Sequence, residues 1–355
     1  MTPRVTVEAA GESFGLDYSL TFDRATLPAF GDYAPNHPDR AGILPGTKLT
    51  DLENVYPSGS NTYIKLDSKY DYEGCLFWGE LRMQSSAGEP NLVNCAGAGK
   101  DPTAYGAIAG LVKCYGDDFY PWRATDSVFD GGLWKDPTLR RPGNAAPTDP
   151  DVWRAAMDAS VGLHGGRGTL TRVEIRNVGD GINWVQSYNN AEQEKWFTEL
   201  FGCWIHDLNF YRAPGASDGA HPDYIQLGVG KNLRSVGTYY GGPNKVGAEP
   251  GNPNAGAMVK QEVSAETSRL ISNVTFYRDF FEGGVYSINH AKNTKYPNDF
   301  ATFKVVDARF PYRADGRYIT ANPAYYGSYE NPRVVTVNSD GTFIVGAPVT
   351  IKAGA

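Results

Sequence analysis

Two of the five histidines sit beside carboxylates. His206 directly precedes Asp207, and His221 lies two residues before Asp223. Asp180 stands upstream in Val178-Gly179-Asp180-Gly181-Ile182. An imidazole near paired carboxylates is what a glycosidase or a lyase needs, with one group as acid and another as base or nucleophile. His206, Asp207, His221, Asp223 and Asp180 are therefore the candidate catalytic residues. The same oxygens would suit Ca2+, a hard ion that takes carboxylate ligands, although no cofactor is required and no metal site is assigned. The alternative for all five is structural: polar side chains at the corners of stacked strands that hydrogen-bond the neighbouring turns.

Aromatic side chains are the second resource. Trp122, Trp134, Trp184 and Tyr224 lie in or beside irregular segments, and flat amphipathic rings suit both sugar faces and protein interfaces. They are candidate glycan contacts, with packing of loops or subunits as the alternative. Gly165-Gly166-Arg167-Gly168 lacks the Lys-Ser/Thr of a phosphate loop and reads as a turn.

These groups need elements to place them. Short runs with apolar residues at alternate positions recur at 171–183, 203–208, 221–227, 232–236 and 269–276, each closed by Gly, Asn or Asp. Alternation marks strands with one buried face. The intervals are roughly 20 to 30 residues, the range of solenoid repeats, and hold Gly, Pro and Asn rather than helical patterns. The expectation is all-β: a single-stranded right-handed parallel β-helix, pectate-lyase-like, with loop insertions. Parallel stacking would set like positions of successive coils about 4.8 Å apart, gathering the candidate catalytic residues on one surface. Earlier strands are expected at 62–66, 75–81, 107–112 and 125–129. Insertions are expected at 135–157, 187–200 and 237–256, with short helices over 151–157 and 191–200. Residues 1–50 read as an N-terminal cap or attachment segment and 51–310 as the coil. Residues 311–355 read as a C-terminal tail or cap with a small β-hairpin formed by 333–337 and 342–345.

Net charge is -7 with no basic patch, which argues against a nucleic-acid ligand. No run of about 18 apolar residues exists, so no membrane insertion is expected. The first residues carry no apolar core of a signal peptide, so synthesis in a cytoplasm without a signal peptide is expected, with a leader already processed away as the alternative. Cys75, Cys95, Cys114 and Cys203 form neither a CxxC nor a zinc pattern. Buried free thiols are the favoured assignment, and a disulfide among Cys75, Cys95 and Cys114 is the alternative.

The string Gly42-Ile43-Leu44-Pro45-Gly46-Thr47-Lys48-Leu49-Thr50 resembles the entry of right-handed β-helix proteins from actinobacteria and their tailed phages. Further strings follow in the family's order at 168–182, 204–208, 221–226, 231–233, 271–276 and 283–289. The resemblance spans about residues 30 to 320. It departs from the family at Tyr224, where glycine is usual. Phage members look like minor tail proteins near the host-facing end of the virion, and the wider group includes pectate lyases, polygalacturonases and tailspikes. The resemblance implies a tailspike-like virion tail component for host adsorption, contacting a host cell-surface polysaccharide and other phage tail proteins, with a homotrimer as the default assembly. It supplies no catalytic residue. A polysaccharide hydrolase or lyase, or a purely structural tail protein, are the alternatives.

Overall fold

The computed structural model describes residues 41–353 except 45, 52–62, 67–70, 78–79, 84–89, 98–110, 115–121, 133–159, 186–196, 210–220, 242–252, 262–270, 292–301, 313–317, 322–326, 338–342 and 350–351. Among the described residues there is no helix. Thirty short strands form three sheets of eleven, ten and nine strands, termed sheets I, II and III. The chain visits the sheets in turn, so each strand pairs with the strands three places before and after it. One circuit comprises Glu174–Arg176 in sheet I, Asp180–Val185 in sheet II and Thr198–Phe201 in sheet III. The next comprises Trp204–His206, Asp223–Val229 and Lys231–Val236. Pairing is parallel except between Arg333–Val337 and Phe343–Pro348, which form the expected antiparallel hairpin.

Register stacks apolar side chains level upon level. The inward column of sheet I runs Phe129, Ile175, Ile205, Tyr240, Phe281. In sheet II it runs Leu163, Ile182, Ile225, Ala257, Ile288, and in sheet III Leu170, Leu200, Ser235, Phe276, Val305. All of these are at most 1% exposed. Each buried Leu, Ile or Phe contributes about 1.5–3 kcal/mol relative to an exposed one, so the interior alone explains why the alternation is kept through the chain.

The corner from sheet III to sheet I is the same in every circuit. Gly74, Asn94, Asp126, Arg172, Gly202, Gly237, Arg278, Asp307 and Asn331 all adopt left-handed backbone with φ between +49° and +62°. Each turns the chain in one residue, and from Gly74 to Asp307 its amide is bonded to the next circuit: Asn94 N–H donates to the Thr125 carbonyl at 3.1 Å, Asp126 to Thr171 at 3.0 Å, Arg172 to Phe201 at 2.8 Å. Gly, Asn and Asp visit this region at low cost, whereas arginine does not. The next residue points inward, forming a buried column that includes Cys75, Cys95, Ser127, Val173, Cys203, Thr238, Asp279 and Ala308. Residues 41–50 run along this edge. Gly42 N–H donates to the Arg172 carbonyl at 2.9 Å, Leu44 N–H to Asn94 Oδ1 at 3.3 Å, and Thr50 then pairs with Cys75.

Several runs expected as single strands turn a corner within themselves. Residues 75–81 are Cys75–Phe77 and part of Glu80–Met83, and 125–129 bends at Asp126. The expected helix over 191–200 gives way at its described end to the strand Thr198–Phe201, because Thr198 and Leu200 both point into the core at 0% exposure. The expected helix over 151–157 lies outside the described residues. The expected insertion at 237–256 contains the strand Tyr239–Tyr240 and the start of Ala255–Val259. Parallel pairing also continues beyond residue 310. Ile319–Ala321, Ser328–Glu330 and Arg333–Val337 pair in turn with Ile288–His290, Lys304–Val306 and Arg309–Pro311 before the hairpin ends sheet I.

Candidate functional site

Connection lengths single out sheet II. The corner from III to I never exceeds two residues between strands in the central circuits, whereas the longest connections enter or leave sheet II. Entry segments span 131–160, 207–222 and 241–254, and exit segments span 186–197, 260–271 and 291–302, while the entries 177–179 and 282–285 and the exits 165–167 and 230 are short. The outer face of sheet II therefore lies between the two edges that carry the longest connections. Loops carry binding residues on a rigid scaffold, and in repeat proteins insertions mark the binding side.

That face presents a mostly polar column. His164, Asn183, Gln226, Met258 and Asn289 stand in register at successive levels, each half-buried, with the apolar Met258 interrupting the polar run. Each follows an inward apolar residue: Leu163, Ile182, Ile225, Ala257 and Ile288. Amides offer both donors and acceptors without charge, the complement of a neutral hydroxyl-rich surface. Asn183 Oδ1 is buried and has no hydrogen-bond partner. A buried polar atom without a partner is uncommon and needs a reason. None of these side chains was among the candidates from sequence, although the recurring apolar–polar dipeptides Leu163-His164, Ile182-Asn183, Ile225-Gln226 and Ile288-Asn289 are the signal that finds them.

The structure gathers the expected catalytic residues into two separate groups. Asp180 and Asp223 begin successive strands of sheet II, and Asp180 Oδ1 accepts the Asp223 backbone N–H at 2.8 Å. Asp223 is 3% exposed, and its Oδ1 accepts a hydrogen bond from Asn254 Nδ2 at 3.0 Å. Both carboxylates are thus tied to neighbouring levels. His221 precedes this strand and is exposed.

His206 and Asp207 belong to a different network, on the outer side of sheet I. The imidazole bridges Asp207 Oδ2 at 3.0 Å through Nδ1 and Glu174 Oε1 at 2.8 Å through Nε2. Arg176 donates to Glu174 Oε1 and to Asp130 Oδ2, both at 2.7 Å, and Asn177 Nδ2 donates to Asp130 Oδ1 at 2.7 Å. Asp130, Arg176 and His206 share one column of the sheet, with Glu174 placed between the two cations. Burial alone would lower the His206 pKa, but the hydrogen bonds and charges of Asp207 and Glu174 outweigh it and raise it. Both ring nitrogens face carboxylate oxygens, an arrangement that favours the doubly protonated ring, at 3% exposure. This is a structural ion network. Its one open group is Asp207 Oδ1, which is buried without a partner.

Three of the four expected glycan contacts are corrected. Trp122, Trp184 and Tyr224 are all 0% exposed, and a ring that stacks on sugar needs an open face. Trp122 packs against Gly168 and Phe129, with its indole 2.5 Å from where a Gly168 Cβ would sit. Trp184 Nε1 donates to Thr198 Oγ1 at 3.1 Å. Tyr224 fills the space left by Gly283, where a Cβ would come within 1.9 Å of its Cε2. Burial first, then the charges of Glu282 and Asp207, push its hydroxyl pKa well above the ordinary range. Trp134 lies outside the described residues. Trp204 is one of the partly exposed aromatics; it stacks on His206 at 3.5 Å and leads a ladder through Tyr239 and Phe280 on the outer side of sheet I. Trp204 Nε1 donates to the Gly241 carbonyl at 3.2 Å, and the Tyr239 hydroxyl donates to Glu282.

Among the described residues no group of three or more His, Cys, Asp or Glu side chains is placed to hold a metal ion, and no helix is long and apolar enough to cross a membrane. No family model matches the chain, and neither a curated protein nor a solved structure matches it.

Proposed function

We propose that the chain is a right-handed parallel β-helix serving as a tailspike-like component of a phage tail, and that it adsorbs to a host surface polysaccharide along the outer face of sheet II. The observation that carries the glycan assignment is the register of His164, Asn183, Gln226 and Asn289 on a face bordered by long connections. Levels repeat about every 4.8 Å, so a linear saccharide lying along the column meets polar side chains at the levels of His164, Asn183, Gln226 and Asn289 and an apolar contact at Met258. The threefold alternation of strands among the sheets and the repeated left-handed corner support the β-helix, and the ordered strings from Gly42 to Asn289 support the virion role. On this reading the protein acts in the tail, as a homotrimer, beside other tail proteins.

A second reading, a polysaccharide hydrolase or lyase, is favoured by the unpartnered Oδ1 of Asp207. One assay separates them: purified protein is incubated with host cell-wall polysaccharide, and binding is followed together with release of reducing or unsaturated ends. Binding that weakens at least tenfold in Asn183→Ala combined with Gln226→Ala, without released ends, is the expected result. Released ends that disappear in Asp207→Asn would establish the enzyme. Neither binding nor release would overturn both and leave a purely structural tail protein.

A further inference from the structure

Cys75 and Cys95 occupy one buried column, at the first inward position after the left-handed corners Gly74 and Asn94. The parallel register that pairs Leu76 with Ala96 and Phe77 with Gly97 sets the two cysteines at adjacent levels. Paired parallel strands lie about 4.8 Å apart, inside the roughly 4.4–6.8 Å Cα separation that a disulfide accepts. Both side chains point inward from adjacent levels. The thiols also meet backbone carbonyls: Cys75 Sγ lies 3.4 Å from Glu73 O, and Cys95 Sγ lies 3.1 Å from Tyr72 O and 3.3 Å from Val93 O. Cys203 stands in the same column several levels away, where its sulfur meets the carbonyls of Leu170 and Phe201.

We infer that Cys75 and Cys95 are a reversible dithiol staple that closes to a disulfide when the protein meets an oxidising low-molecular-weight disulfide, tying the first circuits of the stack together. The direction of attack follows from their surroundings. Cys75 is 8% exposed and Cys95 is 0% exposed. The neighbouring Cys95 pulls the Cys75 thiol down, while Cys75 and burial push Cys95 up. Cys75 as thiolate attacks one sulfur of oxidised glutathione, and glutathione thiolate leaves. Cys95 then attacks the Cys75 sulfur of the mixed disulfide, and its proton goes to the second glutathione thiolate. The two electrons removed from the pair reduce one oxidised glutathione to two thiols. Closing joins two side chains that already face the same interior from adjacent levels.

The test is titration of the folded full-length chain with oxidised glutathione, followed by alkylation in denaturant and peptide mapping by mass spectrometry. The expected product is a peptide cross-link joining Cys75 to Cys95, with Cys203 alkylated and with the cross-link lost on dithiothreitol. Cys95→Ser is expected to trap a stable glutathione adduct on Cys75, whereas Cys75→Ser is expected to slow adduct formation at this pair at least tenfold. The urea midpoint of the oxidised wild-type chain is expected to rise and to return on reduction. Both cysteines recovered fully alkylated at high oxidant, or a cross-link that uses Cys114 instead, would overturn the assignment.

Discussion

Arg172 grips Asp126 with both ends of its guanidinium, Nε to Oδ1 at 2.5 Å and Nη2 to Oδ2 at 2.7 Å, and the two residues occupy the same left-handed corner in successive circuits. Arginine in this conformation costs about 1–2 kcal/mol. The Arg172 side chain is 46% exposed but that of Asp126 is only 9% exposed, so removing the arginine leaves a buried carboxylate without its bidentate partner, a loss of about 1–3 kcal/mol. Arg172→Asn is therefore expected to lower the urea midpoint even though it relieves the backbone. A higher midpoint would mean that the backbone cost outweighs the pair with Asp126.

Gly283 and Tyr224 are matched in volume. Gly283→Ala places a methyl within 1.9 Å of the Tyr224 ring and is expected to cost about 1–3 kcal/mol, as overpacking does. Tyr224→Gly would itself leave a cavity, so the informative quantity is the coupling. In a double-mutant cycle followed by chemical denaturation, the combined variant should lose less than the sum of the two. Strict additivity would mean that the loop yields without touching the ring.

Two buried histidines set opposite pH limits. His206 has a folded pKa above its ordinary 6.5, so its contribution is complete below that value and fades as pH rises through the folded pKa. His290 is pushed down to about 3 by burial from the same 6.5, so it costs stability as pH falls from 6.5 towards 3. The Tyr329 hydroxyl meets its Nε2 at 2.5 Å. His206→Gln is expected to flatten the alkaline side of a stability-pH curve, and His290→Gln the acid side. Equal effects of either variant at pH 4 and pH 8 would contradict these assignments.

Asp279 is fully enclosed, with Oδ1 accepting hydrogen bonds from Thr238 N–H at 2.7 Å and Ser235 Oγ at 3.1 Å. Burial pushes its pKa well above 3.8. The folded state thus keeps a proton that the unfolded chain releases, and stability falls as pH rises above 3.8. Asp279→Asn keeps the shape and the accepting oxygen without the charge. It is expected to raise the thermal midpoint at pH 7 more than at pH 4, and a drop at pH 7 would show that the carboxylate is needed in its ionised form.

The sequence by itself determined the class of the protein. Alternating residues such as Ile271 to Phe276 can bury one face only as strands, and the intervals hold Gly, Pro and Asn rather than long helical patterns. It also marked His206 with Asp207 and Asp180 with Asp223 as chemically loaded pairs, because those depend on local spacing. Where strands begin and end was decided by the tertiary structure. The single-residue corner accepts Gly, Asn, Asp and even Arg, so Asp126 and Arg172 carry no common letter, and a run such as 125–129 looks unbroken. The fate of the aromatics was also decided by packing. Trp184 and Tyr224 resemble Trp204 in composition and surroundings along the chain, yet Thr198 and Gly283, brought from other circuits, enclose the first two. The polar column from His164 to Asn289 exists only through register, since its members lie a full circuit apart and become neighbours when parallel pairing stacks one level on the next.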